Sequence, residues 1–202
     1  MPDAAFKVEI LYSAAVIRFT RPRERNPLSV ATISELARNF PPLTARSDIK
    51  TIIFTGTEDV FAAGADLREV AALTPATAPA FARRGQQLFQ SVATAPQLTI
   101  AAINGYCMGG ALDLALSCRR RVAAPTAIFA HPGVSLGIIT GWGGTQRLPR
   151  LIGATRALEM LLTGRRVNAQ EALAFGLVDE IADDPLAGAL AQAASGVPGG
   201  SN

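Results

Sequence analysis

Two stretches of the chain put glycine and other small residues where an apolar run gives way to a helical pattern. They are Phe61-Ala62-Ala63-Gly64-Ala65-Asp66-Leu67 and Asn104-Gly105-Tyr106-Cys107-Met108-Gly109-Gly110-Ala111-Leu112-Asp113. Residues without side-chain bulk let a ligand approach the main chain closely. The first turn of a helix presents N–H groups that have no intrahelical acceptor. Two such donors converging on one point make an oxyanion hole, which stabilises negative charge developing on a carbonyl oxygen. Either stretch alone reads equally well as a plain strand-to-helix turn. Asp113 follows Gly110 by three residues, so on a helix the two share a face. It reads as a carboxylate held beside the oxyanion site, or as an acidic residue complementing the helix dipole from the first turn.

The other reactive side chains are few. His131, the single histidine, has an imidazole suited to proton transfer near neutral pH. At the end of a short strand, however, it is expected to point away from any pocket. Trp142, Tyr106 and Met108 read either as pocket walls or as core packing, the latter favoured for Met108. Cys107 and Cys118 read as small buried hydrophobes, too few for a disulfide framework. No metal site is expected.

The elements that must position these residues alternate between strand and helix. Residues 6–11 and 14–20 form β-rich runs around Tyr12-Ser13, a hairpin pattern. Pro22 and Pro27 make the following stretch an exposed loop, and a helix over 29–39 is stopped by Pro41-Pro42. Residues 49–55 and 98–104 are apolar runs of the fully buried strand type. Residues 56–66 read as a loop, 67–95 as helix interrupted near Pro75 to Pro79, and 109–117 as an apolar helix. Short strands are expected over 121–124 and 127–130, with helices over 143–151, 154–162 and 169–175 and a short apolar run over 177–181. The run Arg119-Arg120-Arg121 reads as a solvated strand edge. This alternation predicts an α/β fold, with residues 1–190 as one domain and 191–202 as a flexible tail.

Composition narrows the function classes. Of 202 residues, 49% are hydrophobic and 17% charged, enough for a sizeable core and against disorder. The net charge of +3 holds no basic run long enough for a nucleic-acid surface. No signal or membrane-spanning pattern is visible, because charges interrupt the first twenty residues and Pro96 and Asn104 interrupt the longest uncharged run. A cytoplasmic protein is therefore expected. The run Gly141-Trp142-Gly143-Gly144 fails the dinucleotide fingerprint at its last glycine, where Gln146 stands, and no phosphate loop is present.

Taken together and in order, Gly64-Ala65-Asp66-Leu67, then Asn104-Gly105 through Gly109-Gly110-Ala111 to Asp113-Leu114, and then Gly143-Gly144-Thr145-Gln146-Arg147-Leu148 resemble the crotonase superfamily, the enoyl-CoA hydratases and isomerases. Arg21-Pro22 with Arg25-Asn26-Pro27-Leu28 near the start, and Ala172 with Gly176-Leu177-Val178-Asp179 near the end, extend the resemblance over residues 6–190. The resemblance implies a spiral of ββα units that binds acyl-CoA thioesters and needs no cofactor beyond the coenzyme A of the substrate. By the same likeness, the backbone N–H groups of Ala65 and Gly110 hold the thioester oxygen while enolate character develops on it. Arg23, Arg25 and the stretch Ala63, Gly64, Asp66, Leu67 would follow the coenzyme A moiety. Tyr106, Met108, Gly109, Pro132 and Gly133 would complete the substrate site. A homotrimer or a dimer of trimers is the implied assembly, with no nucleic-acid or membrane partner.

Two departures shape the functional expectation. The hydratases of this family resemble two-carboxylate machines. Asp113 stands at the first carboxylate position, but the second, in His131-Pro132-Gly133-Val134, is Gly133, which cannot move a proton. Losing a general acid or base typically costs ~10²–10⁴ in rate. The C-terminal helical subdomain that follows the Gly-Leu-Val-Asp segment in such proteins is also expected to be largely absent. Two hypotheses follow: an enolate-stabilising enzyme that retains Asp113, or an acyl-CoA-binding or assembly protein of the same fold that has lost catalysis.

Overall fold

The computed structural model describes residues 4–195. Strands β1 (Phe6–Leu11) and β2 (Ala14–Phe19) form an antiparallel hairpin closed at Leu11 and Ala14. Tyr12 carries the turn at φ 56°. A 3-10 turn over Pro22–Glu24 leads to β3 (Pro27–Leu28) and α1 (Val30–Thr44). The loop expected over this stretch is anchored by Asn26, which is buried. Its side chain donates to the Val60 and Phe61 carbonyls at 3.1 Å each and accepts from Arg21 N–H. Helix α1 starts at a Ser29 cap and continues through Pro41 and Pro42 instead of stopping there. Burial of Phe40 and Leu43, with Phe40 stacked on Phe54, holds the last turn despite the two missing N–H donors.

Strand β4 (Thr51–Thr55) is buried throughout. The stretch after it, expected as a loop, holds β5 (Val60–Ala62) and β6 (Gly64–Ala65), runs too short to show a strand period. Helices α2 (Leu67–Ala71) and α3 (Ala78–Ala93) follow. Next come β7 (Leu98–Ile103), β8 (Tyr106–Met108) and α4 (Gly110–Ser117), then β9 (Arg120–Ala123) and β10 (Ile128–Ala130). The chain then makes a 3-10 turn over Pro132–Leu136 before α5 (Gly144–Ile152) and α6 (Ala154–Thr163). It ends in β11 (Val167–Asn168), α7 (Ala169–Phe175), β12 (Glu180–Ile181) and α8 (Pro185–Ala194). Residues 191–194 of the expected tail are thus the last turn of α8, and 196–202 lie outside the described residues.

Each turn of the chain gives one strand to each of two sheets and then a helix. Strands β4, β7 and β9 lie side by side in the six-stranded sheet β1-β2-β4-β7-β9-β12, parallel apart from β1. Strands β5, β8 and β10 lie side by side in the sheet β11-β10-β8-β5. This is the expected α/β spiral of ββα units. The main core fills the space between the sheets and helices, while α8 closes the outer sheet face with Leu186, Ala189 and Leu190 against Val16, Ile53 and Ile100. Beyond β12, α8 is the only helix among the described residues.

Because β9 is an interior strand, the basic run is not a solvated edge. Arg121 is buried, donating to the Leu177 and Cys118 carbonyls at 2.8 and 2.7 Å and pairing with Asp179 at 3.1 Å. Asp179 also accepts from Arg121 N–H and from Arg120, clamping β9 to the segment that enters β12. Asp179→Ala leaves a buried guanidinium without its counter-charge. It is expected to lower unfolding free energy by about 3–5 kcal/mol, read as a drop in the urea midpoint. An unchanged midpoint would show that the clamp contributes nothing.

Candidate active site

The site forms where β6 meets the turn between β8 and α4. Gly64 has φ 93°, and a methyl group there would lie 2.6 Å from the Met108 carbonyl oxygen and 2.8 Å from the Gly110 nitrogen. Only glycine allows this approach, and it brings the Gly64-Ala65 main chain against the first residue of α4. The N–H of Gly110, at that helix start, precedes the intrahelical ladder. In parallel pairing, Ala130 lies opposite Met108, and its carbonyl accepts from Gly109 N–H at 2.9 Å. His131, the next residue, therefore sits beside the same helix start.

These segments open onto an apolar cavity of about 270 Å³. Ala63, Ala65, Leu67, Gly109, Gly110, Pro132 and Gly133 from the sequence-derived set line it. Its far wall, which the sequence reading did not find, comes from Val70, Leu73, Phe81, Ile138 and Ile139. The apolar pair Ile138-Ile139 between Gly137 and Gly141 was the available signal. Trp142 serves both readings offered for it. It lines the cavity and is also core, with Phe81 tilted against it at 5.2 Å and Phe89 edge-on at 5.7 Å between ring centroids.

A second cavity of about 280 Å³ shares Ala63 and Pro132 with the first. Arg25, Tyr106 and Met108 line it, together with Arg166, a cation the sequence reading passed over. Arg23 is exposed on the 3-10 turn and lines neither cavity. Asp66 does not face the site either. Its carboxylate caps α2, accepting from Arg68 N–H at 2.9 Å and pairing with the Arg68 side chain at 2.7 Å.

Asp113 is fully buried and lines neither cavity. Its Oδ2 accepts from the Thr140 hydroxyl and from Trp142 N–H at 3.2 Å. Its Oδ1 faces His131 Nε2 at 3.5 Å. Burial pushes the carboxyl up to about 6, against the lowering effect of Thr140 and the backbone of Trp142 and Gly144. His131 is 3% exposed and burial pushes it down to about 4, so at neutral pH it is uncharged. The 3.5 Å separation is then a polar contact rather than an ion pair, since it exceeds a good N–H···O distance. His131 was expected to turn away from the pocket; the residue borders the cavity, while both of its ring nitrogens are sealed and Nε2 faces Asp113. Pro132 opens a 3-10 turn directly after it.

At Gly133 the structure leaves no room for a side chain. A methyl there would stand 2.7 Å from the Ile138 carbonyl oxygen, and Ile138 N–H donates back to the Gly133 carbonyl at 3.0 Å. Among the described residues no cluster of three His, Cys, Asp or Glu is placed to hold a metal. No described helix is long and apolar enough to cross a membrane.

The opposed displacements of Asp113 and His131 have a measurable consequence. Between 3.8 and about 6 the folded chain binds more proton at Asp113 than the unfolded chain, so stability falls as pH rises through that window. Between about 4 and 6.5 the unfolded chain binds more proton at His131, so stability rises with pH. Each contribution amounts to about 3 kcal/mol at ~1.36 kcal/mol per pH unit, and they oppose each other. The denaturation midpoint is expected to stay nearly flat between about pH 4 and 6. His131→Gln should uncover a fall with rising pH and Asp113→Asn a rise; the same curve in both variants would contradict the assignment.

The sequence matches the enoyl-CoA hydratase/isomerase family model over residues 9–194. Among solved structures, an enoyl-CoA hydratase from Bacillus anthracis is 36% identical, with a TM-score of 0.90 over 95% of this chain and 76% of its own. DspI from Pseudomonas aeruginosa is 35% identical, with a TM-score of 0.90 over 96% of this chain and 81% of its own. An enoyl-CoA hydratase from Thermoplasma volcanium is 34% identical, with a TM-score of 0.88 over 93% and 75%.

Proposed function

The chain belongs to the enoyl-CoA hydratase/isomerase family, and from that premise we propose that it acts on an acyl-CoA thioester whose enolate it stabilises between the N–H groups of Ala65 and Gly110. The observation that carries this reading is the close approach of Gly64 to Met108 and Gly110 at the mouth of an apolar cavity. Backbone donors fixed in this way cost no reorganisation when charge develops, and each is typically worth ~10²–10³ in rate. The acyl group occupies the first cavity. The pantetheine arm passes Ala63 and Pro132 into the second, where Arg25 and Arg166 meet the coenzyme A phosphates. Arg23 and Asp66 fall outside this path.

Gly133 favours a second reading, a binding or assembly protein of the same fold. With the Ile138 carbonyl at the place a side chain would fill, the two-carboxylate hydration has no second carboxylate here. Exposed Leu136, Ile139, Leu158 and Leu162 support a homotrimer or a dimer of trimers, in which such surface is buried. Light scattering is expected to give three or six times the mass of one chain; a monodisperse monomer would refute that assembly.

Crotonyl-CoA hydration measured beside calorimetric binding of a non-hydrolysable acyl-CoA separates the two readings. Binding with turnover of crotonyl-CoA or another acyl-CoA supports the enzyme. Binding with no product over a wide acyl-CoA panel supports the binding protein, and no binding refutes both. In the enzyme, Asp113→Asn is expected to lower turnover ~10²–10⁴-fold while acyl-CoA still binds. Full activity in that variant would remove Asp113 from the chemistry.

A further inference from the structure

Resting on the acyl-CoA reading above, we infer that Trp142 is a positioning residue for the oxyanion hole, its indole fixing the placement of the Gly110 N–H. A β-carbon built on Gly110 would stand 2.5 Å from Cε3 and Cζ3 of Trp142 and 3.5 Å from the Ala65 nitrogen. The six-membered ring of the indole therefore rests directly on the Gly110 main chain, where the Ala65 nitrogen also arrives. Its opposite edge rests on α3. A β-carbon on Gly85 would stand 2.4 Å from Cδ1 and 2.5 Å from Cγ and Nε1. One side chain thus spans from a glycine inside α3 to the glycine that opens α4.

The ring itself has little freedom. It is buried, with Phe81 tilted against it and Phe89 edge-on. Its main chain is pinned on both sides: the N–H donates to Asp113 at 3.2 Å, and the carbonyl accepts from Arg147 Nη1 at 3.3 Å. The indole N–H is buried and has no hydrogen-bond partner among the described residues, an arrangement that costs free energy. Hydrogen bonding therefore does not select tryptophan at this position; reach does. A phenyl ring, shorter by the width of the pyrrole, cannot touch Gly85 and Gly110 together. The start of α4 has no side-chain cap to hold it. Gly110 is braced instead by Gly64 on one side and the indole on the other. Close-packed interiors transmit such contacts because they yield little, and an oxyanion donor works by being fixed before charge develops. Without the ring, the first turn of α4 is free to relax away from Ala65.

The test reads the bound carbonyl itself, using butyryl-CoA labelled with ¹³C at the thioester carbonyl. On binding to the wild type its infrared C=O stretch is expected to fall, because two N–H donors draw charge onto the oxygen. In Trp142→Ala most of that fall should disappear while butyryl-CoA still binds, and Trp142→Phe should lie between the two. A tryptophan that only supported the core would lower the denaturation midpoint and leave the stretch of the bound ligand where the wild type puts it. A wild-type stretch in folded Trp142→Ala would therefore overturn the inference and leave the acyl-CoA reading standing. Binding to the wild type without a lowered stretch would remove the oxyanion hole, and absence of binding the whole acyl-CoA reading; either takes the inference with it. Because the chain has one tryptophan, its emission reports on this ring in the unaltered protein. That emission is expected to change as butyryl-CoA binds. Binding with constant emission would overturn the inference even if both variants fail to fold.

Discussion

The carboxylate of Asp113 sits at zero exposure in a helix that is itself buried almost all round. A charge in that position survives only if donors replace the water it has lost. Thr140 and the Trp142 main chain do so, and each charge-assisted bond is typically worth about 1.5–3 kcal/mol. To reach Asp113, the segment before α5 must fold inward, and Trp142 is carried with it onto Phe81 and Phe89 of α3. One buried carboxylate thus ties α4 to the loop that walls the cavity, and through Trp142 to α3. The shape of the cavity follows from that satisfaction more than from the apolar residues that face it.

Much of this was legible in the chain. The strands at 51–55 and 98–103 are apolar runs that need no context, and the Tyr12-Ser13 hairpin falls where its pattern put it. The strands β5, β6 and β8 were not legible, because two or three residues cannot display a period. Pro41 and Pro42 misled for a different reason: propensity forbids what burial of Phe40 and Leu43 permits. Arg121 looked like surface because its partner Asp179 lies 58 residues away. Within the site, Ala65 and Gly110 could be named only because several motifs occurred in order.

The cavity combines a neutral, apolar wall with main-chain dipoles at one end. In such surroundings each electrostatic contact weighs far more than it would in water. The contact between Gly133 and Ile138 fixes one edge of that cavity. A side chain at position 133 would need the 3-10 turn and the residues after it to move together.

Cys107 and Cys118 lie at the two ends of the segment from β8 to β9, one within β8 and one at the foot of α4, both sealed from solvent. Burial holds both thiols far from the reactive thiolate form, Cys118 up to about 12. A thiol reagent can therefore reach them only while the molecule is open. The rates at which the two sulfurs are labelled amount to a pair of internal clocks: one times the opening of the inner sheet at β8, the other the loosening of α4. If the two run at the same pace, strand and helix open as one cooperative body.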